Sequence, residues 1–166
     1  MKRILAIMLA GILCLVFAGS AAAGGHVMRP FGGRMIGDVT TEAPTACPLE
    51  FTTITDTTGT MLHLGRTTAH WEHCLTPPNL LAGGSVTFTA ANGDKLFATY
   101  EGSVDPPMPE NVDDVLVAAF SGTITGGTGR FTGASGWFTG HGYITFPGWE
   151  ADAWPGRWDM HGGVTY

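Results

Sequence analysis

The stretch ITGGTGRFTGASG, Ile124 to Gly136, places five glycines and a single arginine in thirteen residues. Its reading decides the fold, because one kind of glycine-rich loop cradles phosphates at the start of a helix and another only joins strands. A dinucleotide fingerprint needs G-x-G-x-x-G opening a helix; counted from Gly127 and Gly129, the third position falls on Thr132. A P-loop needs Gly-Lys followed by Ser or Thr, and the stretch holds no lysine. Beyond Gly129, Phe131, Gly133, Ser135 and Trp137 recur at the period of a strand. We expect a hairpin bend in which Gly126, Gly127 and Gly129 supply positive φ, with Gly133 and Gly136 thinning the strand that follows. This is scaffold, with no nucleotide.

The same texture extends outward. After Cys47, short runs of Thr, Val, Ile, Phe and Tyr alternate with Gly, Asn, Asp or Pro clusters, as in an all-β domain. Leu116, Ala118, Phe120, Gly122 and Ile124 alternate with Val117, Ala119, Ser121 and Thr123, which predicts a half-buried strand. In VTFTAANGDKLFATY, Val86 to Tyr100, Asn92-Gly93 suits a two-residue turn. That register sets Phe88 opposite Phe97 on the buried face. Further strands are expected at Leu49–Thr55, Thr60–Cys74, Val115–Thr125, Arg130–Phe146 and Gly156–Tyr166, for seven or eight in all. A meander of this length must deal with its edges, and closure into a barrel removes them. The loops DPPMPENVDD, Asp105 to Asp114, and PGWEADAWPG, Pro147 to Gly156, are expected at the barrel mouths.

The first 23 residues read as a signal peptide. Lys2 and Arg3 precede an apolar run from Ile4 to Phe17, and Ala21 to Ala23 form a small-residue cleavage site. The run is too short for a comfortable span, and Cys14 inside it lacks the context of a lipidated cysteine. Residues 24–46, rich in Gly, Pro and Thr, read as a flexible leader, and 47–166 as the barrel domain. The exported remainder is expected in a periplasm or outside the cell. It carries six Lys and Arg against fourteen Asp and Glu, so nucleic acid and anionic membrane are poor partners. Two cysteines remain, Cys47 and Cys74, and in an oxidising compartment they are expected to pair.

FSGTITGGTGRFTGASG, Phe120 to Gly136, resembles the Gly-Thr-Gly-x-Phe-x-Gly-Ala-x-Gly strand-turn-strand of dirigent proteins and allene oxide cyclases. HLGRTT (His63 to Thr68), GSVTFTAANGDKLFATYEG (Gly84 to Gly102) and GGVTY (Gly162 to Tyr166) are similar to segments of small exported bacterial proteins with that barrel. The resemblance spans Leu49 to Tyr166. It implies an eight-stranded antiparallel barrel, shaped like the lipocalins and often oligomeric in the plant members. No catalytic residue of the plant enzymes maps onto a position here.

Several constellations compete as sites. HWEHC gathers His70, Glu72, His73 and Cys74, but on a strand His70, Glu72 and Cys74 point one way while His63, Trp71 and His73 point the other. That geometry disfavours a metal, and we expect neither metal nor cofactor. If the last two strands pair about Ala151, His141 faces His161 inside the barrel, as an acid and base or a ligand pair, with Glu150, Asp152 or Asp159 to orient them. A one-residue slip would separate the two. Trp149 and Trp154, in the last proline-bearing loop, are the best candidates for a ligand pocket. The acidic run Glu101, Asp105, Glu110, Asp113, Asp114 lacks EF-hand spacing and reads as solvated. Ser121 and Ser135 have no histidine–acid pattern beside them. The composite expectation is a non-enzymatic exported barrel that binds a small apolar ligand or a partner protein. The alternative is an isomerase or cyclisation-guiding protein, like the allene oxide cyclases and dirigent proteins, acting on a lipid-like or phenolic substrate.

Overall fold

The alternation expected of residues 116–124 is realised side chain by side chain. Leu116, Ala118, Phe120 and Ile124 are buried, while Ala119, Ser121 and Thr123 face solvent. The same period repeats around the chain in a computed structural model, which describes residues 27–43, 45–49, 52–106 and 109–166. The eight strands are β1 (Arg29–Glu42), β2 (Thr52–Met61), β3 (Gly65–Thr76), β4 (Leu80–Thr89), β5 (Lys95–Asp105), β6 (Val115–Gly127), β7 (Ser135–Thr145) and β8 (Trp154–Thr165). Each pairs antiparallel with its sequence neighbour, and β1 pairs with β8, so the sheet closes into a barrel without free edges. Residues 1–23, which read as a signal peptide and include Cys14, lie outside the described residues.

Several expectations about strands are corrected. Thr60 and Met61 end β2 rather than opening the next strand, which starts at Gly65, and Arg130 and Phe131 lie in a turn before β7 starts at Ser135. The leader is not a leader: Arg29–Glu42 is a full strand that closes the barrel, with Phe31 and Met35 buried in its core. Its period of two is diluted by glycine at the intervening inward positions. Gly37 runs so close to β2 that a Cβ there would overlap the Asp56 carbonyl. The barrel domain therefore begins at Arg29 rather than at residue 47.

The β4–β5 register also differs by one residue. Ala90 N–H donates to the Asp94 carbonyl (2.8 Å), and Gly93, at φ 88°, sits third in a three-residue loop. Phe88 consequently faces Leu96, and Phe97 turns outward, leaving Phe88 fully buried and Phe97 exposed. A slip of one residue exchanges the faces of a strand.

The glycine-rich stretch joins β6 to β7 through one 3-10 turn, Gly129–Phe131. Gly129 takes the left-handed backbone (φ 55°) against the Asp94 carboxylate, whereas Gly127, expected to do the same, does not. Its constraint is space, since a Cβ would collide with the Lys95 carbonyl and Phe131. The turn drives Phe131 into the end of the barrel, where it is completely buried against Tyr166 (ring centroids 5.0 Å apart). Arg130 laces the neighbouring turns together by donating to the His63 carbonyl at 2.8 Å and facing Asp94 at 3.8 Å. Phe31, Phe88, Phe138, Leu64 and Leu96 complete a solid plug behind it.

Candidate functional site

Inward side chains of the other half of the barrel, large ones such as Trp158 among them, leave its centre open. Beyond the phenylalanine plug, the inward positions carry Val39, Thr53, Thr55, Ala118 and Leu116, and the space they leave is a cavity of about 510 Å³. It opens at the end where Ala43, Leu49, Pro109, Trp149 and Ala151 line it, on the connections β1–β2, β5–β6 and β7–β8. Trp71 and Phe120 form its floor, 5.6 Å apart between ring centroids. The Trp71 indole is held in place because Nε1 donates to Thr57 Oγ1 (3.2 Å), whose hydroxyl donates to the Ala69 carbonyl (3.3 Å). The size falls within the roughly 300–1,000 Å³ of small-molecule sites.

Trp149 and Trp154 stand where the loop reading put them, at the mouth. Phe146 packs edge-on against both (4.8 and 4.9 Å), and the two tryptophans meet at 5.8 Å. Trp154 is partly buried, whereas Trp149 keeps 59% of its surface exposed. Asp152, between them in sequence, also lines the opening.

The expected facing of His141 and His161 is corrected. β7 and β8 pair two residues away from the expected register, so His141 stands opposite Asp159 and His161 opposite Thr139. An even shift preserves the face, but that face is the outer one, and both imidazoles are exposed. They do not meet, and neither reaches the cavity.

A different histidine does. Along β3, His70 points outward, with Nδ1 2.7 Å from Asp56 and Nε2 3.0 Å from Glu72. Those carboxylates, Asp56 first, raise its pKa. Trp71 and His73 point inward, as parity requires. His73 Nδ1 lies 2.8 Å from the Tyr100 hydroxyl, and the two rings meet edge to face. Burial lowers the His73 pKa to about 4, and burial first, then the charge of Glu72, raises that of Tyr100. At neutral pH the cavity therefore contains an uncharged imidazole hydrogen-bonded to an uncharged phenol. HWEHC thus splits across the wall, and among the described residues no three His, Cys, Asp or Glu converge as metal ligands.

Cys74 is bonded to Cys47, as expected, with the Cα atoms 5.3 Å apart. The bridge anchors the chain between β1 and β2 onto β3 at the open end. In the acidic run, Asp114 accepts the backbone N–H groups of Glu110 and Asn111 (2.9 and 2.7 Å), so it shapes the β5–β6 loop. No described helix is long and apolar enough to cross a membrane.

The His73–Tyr100 pair escaped the sequence reading because Tyr100 belongs to the face that the one-residue hairpin slip turned outward. Trp71 was the available signal. A tryptophan on a strand with polar neighbours marks the inner face, and His73 follows two residues later. No protein-family model, curated protein or solved structure matches this chain.

Proposed function

We propose that this protein is an exported β-barrel that binds a small, largely apolar ligand in its open-ended cavity and releases it chemically unchanged. One observation carries the reading: a cavity of about 510 Å³ with mainly apolar walls at one end of a barrel whose other end is packed shut. A barrel of eight strands that served only as scaffold has room to be filled by side chains throughout. The Cys47–Cys74 bridge supports an oxidising compartment, in keeping with the signal-like first 23 residues.

The test is titration with the neutral fluorophore N-phenyl-1-naphthylamine. We expect saturable one-to-one binding that Ala118→Phe, which fills the cavity, weakens at least tenfold, and that Trp137→Ala on the outer wall leaves unchanged. Equal binding by both variants would place the fluorophore elsewhere and overturn the reading.

A second reading, a cyclisation-guiding or isomerising protein like the dirigent proteins and allene oxide cyclases, draws on the His73–Tyr100 pair, polar groups with displaced pKa values inside an apolar pocket. It predicts that a bound lipid-like or phenolic compound is recovered rearranged, and that Tyr100→Phe abolishes the rearrangement. Recovery of the intact compound supports the binder.

A further inference from the structure

Resting on the cavity as a ligand site, we infer that its ligand is an uncharged, largely apolar molecule whose hydroxyl or carbonyl engages the His73–Tyr100 pair, and that carboxylates of equal length are rejected. The inner polar pair has hydrogen-bond capacity to spare. A phenol both donates and accepts, and a neutral imidazole has one donor and one acceptor nitrogen. The pair uses a single shared bond of 2.8 Å, and His73 Nε2 has no partner among the described residues. One donor and one acceptor therefore remain free beside Trp71, Leu81, Val104, Leu116 and Phe120, in a mainly apolar wall whose other inward polar side chains include Thr53 and Thr55 on β2. A single oxygen placed there replaces a hydrogen bond to water, while the rest of the ligand lies against apolar side chains.

Charge around the mouth discriminates as well. Among the described residues, the cavity wall contains no lysine or arginine. The four connections around the mouth contain none either, while Glu110, Asp113, Asp114, Glu150 and Asp152 all lie on them. All six basic residues of the barrel lie elsewhere: Arg29, Arg34, Arg66, Lys95 and Arg157 on strand positions and Arg130 at the plugged end. Arg157, the basic residue nearest the mouth along β8, stacks outward on Tyr143 at 4.6 Å. An anionic head sent inward thus meets no cation in a low-dielectric site. Left at the mouth, it meets fixed negative charge, which slows entry and weakens retention. A neutral head encounters neither penalty.

Competition against N-phenyl-1-naphthylamine tests this with 1-decanol and decanoate at pH 8 and low salt. We expect 1-decanol to displace the probe at a concentration at least ten times lower than decanoate does. Tyr100→Phe should weaken 1-decanol roughly tenfold relative to decane-1-thiol, which hydrogen-bonds poorly; near-UV circular dichroism of the variant reports its folding. The comparison of alcohol with acid needs only the wild-type chain. Equal displacement by decanol and decanoate overturns the inference, as does a folded Tyr100→Phe that binds decanol normally. Either result leaves the cavity standing as a site, whereas failure of the fluorophore itself to bind removes both.

Discussion

At one end of the barrel the β2–β3, β4–β5 and β6–β7 turns bond to one another. Ala91 N–H donates to the Leu64 carbonyl (3.1 Å), Lys95 N–H to Thr128 Oγ1 (2.9 Å), and Arg130 to the His63 carbonyl. Behind them Phe31, Phe88 and Phe131 exclude solvent. At the other end the β5–β6 and β7–β8 connections are longer, carry prolines and carboxylates, and surround an opening instead of sealing it. A closed barrel stores its stability in the filled end, which relieves the open end of close packing and leaves that end available for a ligand. The same strands serve both, so the division lies in how the inward residues meet at the centre, with Phe131 inserted from the β6–β7 turn at one end only, and in the length of connections.

The comparison breaks first at Phe131. Phe131→Ala should cost about 3–5 kcal/mol, the range for emptying a buried aromatic site. Trp149→Ala, at the mouth, should lie within about 0.5 kcal/mol of wild type, because the ring is 59% exposed. Urea unfolding of the two variants measures both. Similar losses would mean that the two ends are equally packed and that the cavity closes in solution.

Next in size is the disulfide, which belongs to the open end alone. It closes a loop whose ends are 27 residues apart, so reduction should lower stability by about 3.5 kcal/mol in the chain-entropy account. Its local effect should be unequal. Amide exchange near Cys47 and Leu75 should accelerate in the reduced protein, while Leu96 and Phe131 change only with global stability. Uniform acceleration would show that the mouth has no independent opening.

How much of this was legible before the structure depended on where the period of two was clean. In residues 116–124 it was unbroken, and the strand, its inner face and the barrel followed. In β1 the same period is interrupted by Gly33 and Gly37, which contact neighbouring backbone so closely that no side chain fits, and a strand essential to closure read as a flexible leader. Around Asn92-Gly93 the loop has three residues instead of two, with Asp94 N–H bonded to the Asn92 side chain (3.2 Å). Nothing local to the dipeptide separates those alternatives, and the wrong one turns Leu96, Ala98 and Tyr100 away from the core. The place of Trp149 and Trp154 at the mouth was legible because both fall in or beside a proline-bearing connection between two expected strands. The His73–Tyr100 pair joins β3 to β5 across β4 and is visible only once both registers are correct.

The finest comparison sits on one strand, between His70 outside and His73 inside. The folded pKa of His73 is lowered from 6.5 to about 4, so between those values the unfolded chain binds a proton that the barrel does not. Stability must then fall as pH drops through that window, by on the order of 2 kcal/mol once partial access to water from the cavity is allowed for. His70 runs the opposite way. Its pKa is raised by Asp56 and Glu72, so it stabilises the barrel below its unfolded value of 6.5 and loses that contribution as pH rises through the folded one. Being half-exposed, it contributes only a few tenths of a kcal/mol. Carboxylates titrate in the same acid range, so the measurement is a difference: urea midpoints of wild type, His73→Gln and His70→Gln from pH 7.5 to 4.5. His73→Gln should flatten the acid decline and His70→Gln should steepen it slightly. If His73→Gln declines as steeply as wild type, the imidazole is as well hydrated as one on the outer wall. Water would then reach the full depth of the cavity, and an apolar ligand would have to displace it.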